Sequence, residues 1–322
     1  MALVEMKIIL LGTAGAIPSS TRKLISTLIV RDGELFFFDA GEGMQQTLMN
    51  LKIGLNKTTR IFITHMHGDH IFGLLGLIQT MSLLMRDKPI YVYGPSGIKK
   101  FLKTNIKNLG IILNFPLLIQ EIKEGLVIRT NEFKIYAKKG NHSRTNFAFT
   151  LKENNRPGIF YPTKAKKLCI PEGKKWSVLQ KGKQIRFNKQ IIKPNQVLGK
   201  SRPGRKIGIS GDTRPTNKLI KFFLDCDVLI HESTYSQQDR LLAKDRFHST
   251  SVEAAQVAKK SKTNLLILTH FSSRYNEINS LEKEARQIHH NTIAGNDLMS
   301  FILPYPNEKR INSSYVLAQS SQ

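Results

Sequence analysis

The sequence predicts an α/β protein, and two observations carry that prediction. Short apolar runs with strand character alternate with helical patterns in the N-terminal third and again in the C-terminal third. Between these regions several strand-like pieces follow one another with hardly a helix, which favours mixed or antiparallel sheets over a purely doubly wound one.

Residues 8–11, 26–30 and 35–38 read as strands, 44–53 as a helix and 61–63 as a strand. The longest mostly apolar run, 71–85, carries Gln79, Thr80 and Ser82 and falls short of the ~18 residues a membrane span needs, so it reads as a buried helix. Residues 90–93 follow as a strand and about 96–106 as a helix. Several β-rich pieces then lead through 133–138 to 146–151. Alternation resumes with strands at 206–210, 228–230 and 265–268 and helices near 217–224, 252–260 and 281–289. No repeat of fixed period and no low-complexity tract occurs.

The chain has 322 residues, 40% of them apolar, which excludes a mainly disordered or collagen-like chain and supplies a sizeable core. Its 49 Lys and Arg against 24 Asp and Glu give a formal net charge of +25, which points to a polyanionic partner, nucleic acid before a membrane surface; a basic proteome or a high-salt cytoplasm is the alternative source. The charge is localised. Residues 151–206 hold 16 Lys and Arg against Glu153 and Glu172, so +14 of the total lies there, with five prolines and the only tryptophan, Trp176. This texture suggests an extended insertion or arm. Cys169 and Cys226 lack metal-ligand spacing, and no secretory signal precedes the first strand, so a reducing, cytoplasmic setting and no membrane association are expected.

The densest chemistry is Thr64-His65-Met66-His67-Gly68-Asp69-His70, where the 61–63 strand ends and the next helix begins. A spacing of two on extended chain puts His65 and His67 on one side, and a turn at Gly68 lets Asp69 and His70 point across from them. Imidazoles and carboxylates suit zinc, with manganese and iron as alternatives. Further donors stand just after strand-like runs: His142, Asp212 and His270. His65, His67 and His142 would hold one ion, Asp69, His70 and His270 a second, and Asp212 would bridge. Two ions about 3.5–4 Å apart suit in-line attack on phosphorus.

These residues resemble the signature of the metallo-β-lactamase fold, and further blocks narrow the resemblance to ribonuclease Z, the tRNA 3′-processing endoribonucleases. The blocks are Leu-Gly-Thr-Ala-Gly-Ala-Ile-Pro at 11–18, Asp-Ala-Gly-Glu-Gly-Met-Gln at 39–45, Tyr-Gly-Pro-Ser-Gly-Ile at 93–98, Ser-Gly-Asp-Thr-Arg-Pro at 210–215, His-Glu-Ser-Thr-Tyr at 231–235, His-Ser-Thr at 248–250 and Leu-Thr-His-Phe-Ser-Ser-Arg-Tyr at 268–275. The resemblance runs nearly end to end and implies an αββα sandwich with an inserted flexible basic arm. Residues 1–150 and 207–322 would form the catalytic domain and 151–206 the insertion. It also implies two zinc ions per subunit, or manganese, a precursor tRNA substrate and a homodimer.

The same resemblance implies that His248 supplies a proton or positive charge to a departing ribose 3′-oxygen, with Glu232 holding it. Asp69 is placed to orient or deprotonate the attacking water. Arg274 suits a phosphate clamp near the scissile bond. In the family the arm grips the tRNA elbow, which makes Lys174, Lys175, Lys181 and Lys183 the substrate-binding candidates there. The chain departs from the family's pattern in three places: Glu172-Gly173-Lys174-Lys175 stands where a Gly-Pro pair is usual at the arm tip, Ser143 to Phe149 replaces a segment with a Gly-Tyr pair, and Lys23 replaces an Asn. Two other classes fit parts of the pattern. One is a hydrolase of small thioesters or phosphodiesters, which lacks a use for the arm. The other is a nucleic-acid-binding protein with a structural metal, which lacks a use for His248.

Overall fold

The computed structural model describes residues 4–306. The first half contains β1 (Met6–Gly12), β2 (Ala14–Gly15), β3 (Ser26–Arg31), β4 (Glu34–Phe38), α1 (Met44–Asn50), β5 (Thr59–Phe62), α2 (Gly68–Leu83), β6 (Ile90–Gly94), α3 (Ile98–Asn108), β7 (Leu117–Glu121), β8 (Gly125–Arg129), β9 (Phe133–Lys139) and β10 (Phe147–Glu153). The basic insertion contributes α4 (Pro162–Lys167), α5 (Lys174–Gln180), β11 (Ile185–Phe187) and β12 (Gln190–Ile192). The remainder comprises β13 (Lys206–Ile209), α6 (Asn217–Phe222), β14 (Val228–Glu232), α7 (Arg240–Asp245), α8 (Ser251–Lys260), β15 (Leu265–Thr269), β16 (Phe271–Ser272), α9 (Asn279–Arg286), β17 (Thr292–Ala294) and β18 (Ser300–Ile302).

Two seven-stranded mixed sheets result, in the orders β18-β1-β3-β4-β5-β6-β7 and β17-β15-β14-β13-β10-β9-β8. Each is antiparallel at one end and parallel at the other: β4 to β7 run parallel in the first, and β13, β14, β15 and β17 in the second. The strands read as unbroken apolar runs because both of their faces are covered. Alternate residues, Ile8, Phe36, Phe38 and Phe62 of one sheet and Ile135, Phe149, Ile207, Ile230 and Ile267 of the other, fill the space between the sheets. The intervening residues point outward. Ile9, Leu35, Phe37 and Ile61 meet Leu48, Leu74 and Leu102 of α1, α2 and α3, while Leu229, Leu266 and Leu268 meet Leu219, Ala255 and Leu281 of α6, α8 and α9. Period-two alternation on two covered sheets thus makes an αββα sandwich.

The parallel strands bring their C-terminal ends to one edge, where the loops after β5, β13, β14 and β15 carry the polar clusters. The α2 helix comes down against this edge because residue 73 is glycine: a Cβ there would lie 2.0 Å from the Gly41 carbonyl oxygen. Helix α2 begins at Gly68, earlier than the apolar pattern suggests, so Asp69 and His70 sit on its first turn. Helix α7 and strands β17 and β18 also go beyond the sequence reading; each is six residues or fewer, too short for a period to emerge.

The insertion differs from the extended arm that its composition suggests. Its two short helices and the β11–β12 hairpin enclose a core of their own from Ala165, Ile170, Leu179, Ile192, Val197 and Leu198, with Phe160 and Trp176 packed against it. Residues 151–153 and Lys206 belong to the core strands β10 and β13. The insertion therefore leaves at the far end of β10 and returns at the far start of β13, opposite the edge that carries the polar clusters. Seven residues of β10 separate the two ends, roughly 20 Å. At the root, buried Glu153 bonds Arg205 through Nε and Nη2, each at 2.8 Å, and Arg31 Nε of the other sheet, also at 2.8 Å.

Candidate metal centre

The donors at the edge stand where strands end, either just past the strand, in the loop that follows or on the first turn of the next helix. His65 and His67 follow β5, Asp69 and His70 open α2, His142 sits in the β9–β10 connection, and Asp212 and His270 follow β13 and β15. All seven come together. The donor atoms of His65, His67, His142 and Asp212 lie within 4.8 Å of one another, as do those of Asp69, His70 and His270 and those of Asp212, His248 and His270. Asp212 stands between the groups, 3.6 Å from His65 Nε2 and 3.3 Å from both His70 Nε2 and His270 Nε2.

The surrounding hydrogen bonds set which nitrogen faces inward. His70 Nδ1–H donates to Asp39 Oδ2 at 2.8 Å. The Thr64 hydroxyl gives its proton to Asp39 at 2.9 Å and so accepts from His65 Nδ1–H, also at 2.9 Å. The Thr234 hydroxyl donates to Glu232 Oε2 at 2.7 Å and accepts from His270 Nδ1–H at 2.9 Å. His142 Nδ1–H donates to the Phe247 carbonyl at 3.0 Å. Four imidazoles thereby aim Nε2 at the cluster, the arrangement that orients metal ligands elsewhere.

The electrostatics agree with a cation site. Burial lowers the His65, His67 and His142 imidazoles, leaving neutral nitrogen donors. Burial alone would raise Asp69 and Asp212, but the imidazoles beside them win and hold both carboxyls below the usual range. Burial opposes charge on His70 too, yet Asp212 and Asp39 push it well above its ordinary value. Buried Asp212 Oδ1 makes no hydrogen bond, an orphaned oxygen aimed into a nest of imidazoles. Nitrogen and carboxylate donors converging on that oxygen fit divalent transition metal ions.

Beside this cluster, His248 Nδ1 lies 3.1 Å from Glu232 Oε1 and 3.9 Å from Asp212 Oδ2, with its ring stacked on His270 at 5.4 Å. Burial alone would lower His248; Glu232 and then Asp212 overcome this and raise it to about 9. Glu232, fully buried, is held down by the same contact. The guanidinium of Arg214 donates to the His248 carbonyl and clasps Glu253, which caps α8 through Thr250.

The remaining candidates stand apart from the ligand cluster. Arg274 Nη1 pairs with Asp239 at 3.3 Å and lies over the Tyr235 ring, which itself packs on His248. Lys174, Lys181 and Lys183 are exposed on the insertion, and Lys175 lies over Phe187. Asp39 and Thr234 have no role in the sequence reading, although Asp39 fixes His70 directly and His65 through Thr64, and Thr234 contacts His270 and His248. Asp39 stands just after the strand Phe36–Phe38, so the strand-end rule that finds the ligands also reaches it.

Two mixed sheets between helical layers, with histidines and aspartates gathered at the strand ends, define a protein of the metallo-β-lactamase fold. Solved structures align accordingly: human tRNase Z, short form, at TM-score 0.68 and 26% identity over 92% of this chain and 99% of that one, and the metallo-β-lactamase fold protein YhfI from Bacillus subtilis at TM-score 0.65 and 17% identity over 94% and 100%. A family model described as the anti-Pycsar protein Apyc1 matches residues 6–161, the stretch with the His65–His70 cluster. The ribonuclease Z of Nitrosopumilus maritimus (strain SCM1) is 46% identical over 91% of this chain and 98% of its own length, and that of Bacillus subtilis (strain 168) is 37% identical over 93% and 99%. The chain belongs to the ribonuclease Z family.

Proposed function

We propose that the protein is an endoribonuclease that removes the 3′ trailer from precursor tRNA, cutting after the discriminator base to leave a tRNA 3′-hydroxyl and a 5′-phosphate on the trailer. The observation that carries this, beside family membership, is the juxtaposition of two donor groups sharing Asp212 with an acid dyad, His248 and Glu232, on one edge of the sandwich. His65, His67 and His142 would hold one zinc ion, Asp69, His70 and His270 a second, with Asp212 as a further donor between the two groups; manganese would suit the same donors. Such ions supply Lewis-acid polarisation of the phosphate and a water of lowered pKa.

The protein's own groups complete the reaction. Asp69, kept ionised, orients the attacking water or receives its proton. As water oxygen bonds phosphorus and the bond to the ribose 3′-oxygen breaks, protonated His248 gives its proton to that oxygen. Buried Glu232 keeps the imidazolium charged and in place. Arg274 offers its fork to a flanking phosphate.

The insertion, rooted roughly 20 Å from the ligands by the length of β10, suits a grip on a distant part of the tRNA. Lys174, Lys175, Lys181 and Lys183 supply phosphate contacts there, and binding through them is salt-dependent. Met49, Phe72, Leu83, Leu84 and Met85 expose apolar surface on and just after α1 and α2, which favours a homodimer. Among the described residues no helix is long and apolar enough to cross a membrane. Both cysteines are free, in keeping with a reducing cytoplasm.

The test is incubation of the purified protein and zinc with a tRNA bearing a 3′ trailer, alongside a small phosphodiester. Discrete cleavage at the discriminator, absent in His67→Ala and steeply reduced in His248→Ala, is the expected result. Turnover of the small diester with the tRNA left intact would overturn the reading.

A further inference from the structure

Phe247 occupies a backbone position that a bulky residue seldom takes. It ends α7 with φ +59°, and the bonds around it form a paired helix stop: Phe247 N–H reaches the Lys244 carbonyl at 3.3 Å and His248 N–H reaches that of Ala243 at 2.8 Å. That left-handed position is usually glycine, because a Cβ there costs about 1–2 kcal/mol. The carbonyl of Phe247 is pinned by His142 Nδ1–H, and the next carbonyl, of His248, by Arg214 Nη1–H at 2.5 Å. The same left-handed stop is taken by Lys52, Met85, Cys169 and Lys262 after α1, α2, α4 and α8, so the conformation itself is ordinary in this chain; what is particular to Phe247 is that its carbonyl and the next are both held by residues of the ligand edge.

Phe247 belongs to none of the apolar core clusters. The residue is 42% exposed and lines an open cleft of 640 Å³ together with Asn141, Arg214, Pro215, Leu241, Lys244 and Asp245. Leu241 is also exposed, so the cleft shows an aromatic face and an aliphatic one, with Lys244 and Asp245 beside them; the Arg214 guanidinium is engaged by Glu253 and the His248 carbonyl. That combination fits a nucleotide: every base has a π-face to stack, and Lys244 suits the phosphate beside it. Asn141 and Phe247, which line the cleft, directly precede His142 and His248 in the chain, and the two imidazole rings are 5.0 Å apart.

We propose that Phe247 is a stacking platform for the base of the nucleotide that carries the departing 3′-oxygen, the discriminator. This rests on the reading above, which puts His248 on that oxygen. Phe247 directly precedes that donor in the chain and lines the cleft beside it. Stacking accepts any base, so the platform would position the discriminator without selecting its identity.

The experiment measures kcat/KM for the zinc-loaded protein on three precursors: intact, abasic at the discriminator, and abasic at the first trailer nucleotide. Phe247→Ala should lose on the order of tenfold to a hundredfold on the intact precursor. On the precursor abasic at the discriminator, wild type and variant should be equal. Phe247→Trp should retain activity. Phe247→Gly provides the control for folding: it relieves the left-handed strain, so its melting temperature should rise while its kcat/KM falls like that of Phe247→Ala.

Equal losses on all three precursors, or on bis(p-nitrophenyl) phosphate, would make Phe247 a support for His248 and overturn the proposal. Coupling to the first trailer nucleotide would overturn the placement. Wild-type inertness toward precursor tRNA would overturn the underlying reading, whereas cleavage without coupling at the discriminator would overturn this inference alone.

Discussion

His248 and Glu232 stand 16 residues apart in sequence and 3.1 Å apart in space, the carboxylate fully buried and the imidazole at the rim of the ligand cluster. A group raised in this way stays protonated through neutral pH. An acid must carry its proton to act, so activity is present below the raised value and is lost as pH rises through about 9. Glu232→Gln removes the largest contribution that raises His248. The alkaline limit of kcat should then move toward neutrality and kcat at pH 8 fall on the order of a hundredfold, read from kcat profiles between pH 6 and 10. An unmoved alkaline limit in Glu232→Gln would show that the limit belongs to another group.

Metal binding should release protons. His70 is raised by Asp212 and Asp39 and so carries a proton when the donors are free, and an imidazole donates to a metal only as the neutral base. Zinc affinity should therefore strengthen as pH rises from 6 to 8. Calorimetric titration of the chelator-treated protein in two buffers of different ionisation enthalpy reads the released protons. Zinc should also raise the melting temperature, because it binds the folded state. Binding without proton release would contradict a ligand role for His70.

The Arg31–Glu153–Arg205 cluster ties both ends of the insertion to both sheets. Glu153 is pushed up by burial and pulled further down by Arg205 and Arg31, so its folded value lies below its unfolded one. Its contribution to stability is present above the unfolded value and disappears as pH falls through the folded one, adding to an acid limb of unfolding. Glu153→Gln leaves buried Arg205 without a counter-charge and Arg31 with Glu132 alone, and should cost about 3–5 kcal/mol in denaturant titration at pH 7. A loss under 1 kcal/mol would mean that water or the neighbouring carbonyls satisfy both arginines.

Removal of residues 162–194 with a short bridging loop should separate binding from chemistry. The insertion buries its own apolar core, and its strands do not belong to either seven-stranded sheet. Precursor tRNA binding should weaken and its dependence on salt should become shallower, while hydrolysis of a small diester stays nearly unchanged. Equal loss of both activities would place the insertion in the structural support of the ligand edge.

Arg214 should act through His248 without touching substrate. It holds the His248 carbonyl and Glu253 at once, and its own N–H donates to the Asn141 carbonyl beside His142. Arg214→Lys cannot reproduce the fork. It should lower kcat by roughly tenfold on precursor tRNA with KM nearly unchanged, and by much less on a diester with a nitrophenolate leaving group that needs no proton. Equal loss on both substrates would point to a displaced metal ligand.

The donor set was legible in the sequence because each donor follows its strand locally: an apolar run stops, and the next short polar side chain inherits the strand's rigidity. The strands themselves were legible as short apolar runs such as Phe36–Phe38, whereas their burial on both faces emerged only in the fold. The insertion was legible as a concentration of charge, but its small core was hidden, since Ala165, Leu179 and Val197 are scattered singly among lysines on elements of seven residues or fewer.

What the sequence determined by itself, then, was the α/β order of strands and helices, the seven candidate donors and the place of the basic charge. Only the tertiary structure decided which nitrogen each imidazole presents, because Asp39 reaches His70 across 31 residues and Thr234 reaches His270 across 36. It set the distance of the His248–Glu232 pair that the resemblance implied, and it alone left Phe247 at the lip of a cleft and fastened the insertion through Arg31, 122 residues from Glu153. Local patterns follow from chain geometry and burial; hydrogen bonds and ion pairs between distant residues exist only once the two sheets have closed on each other.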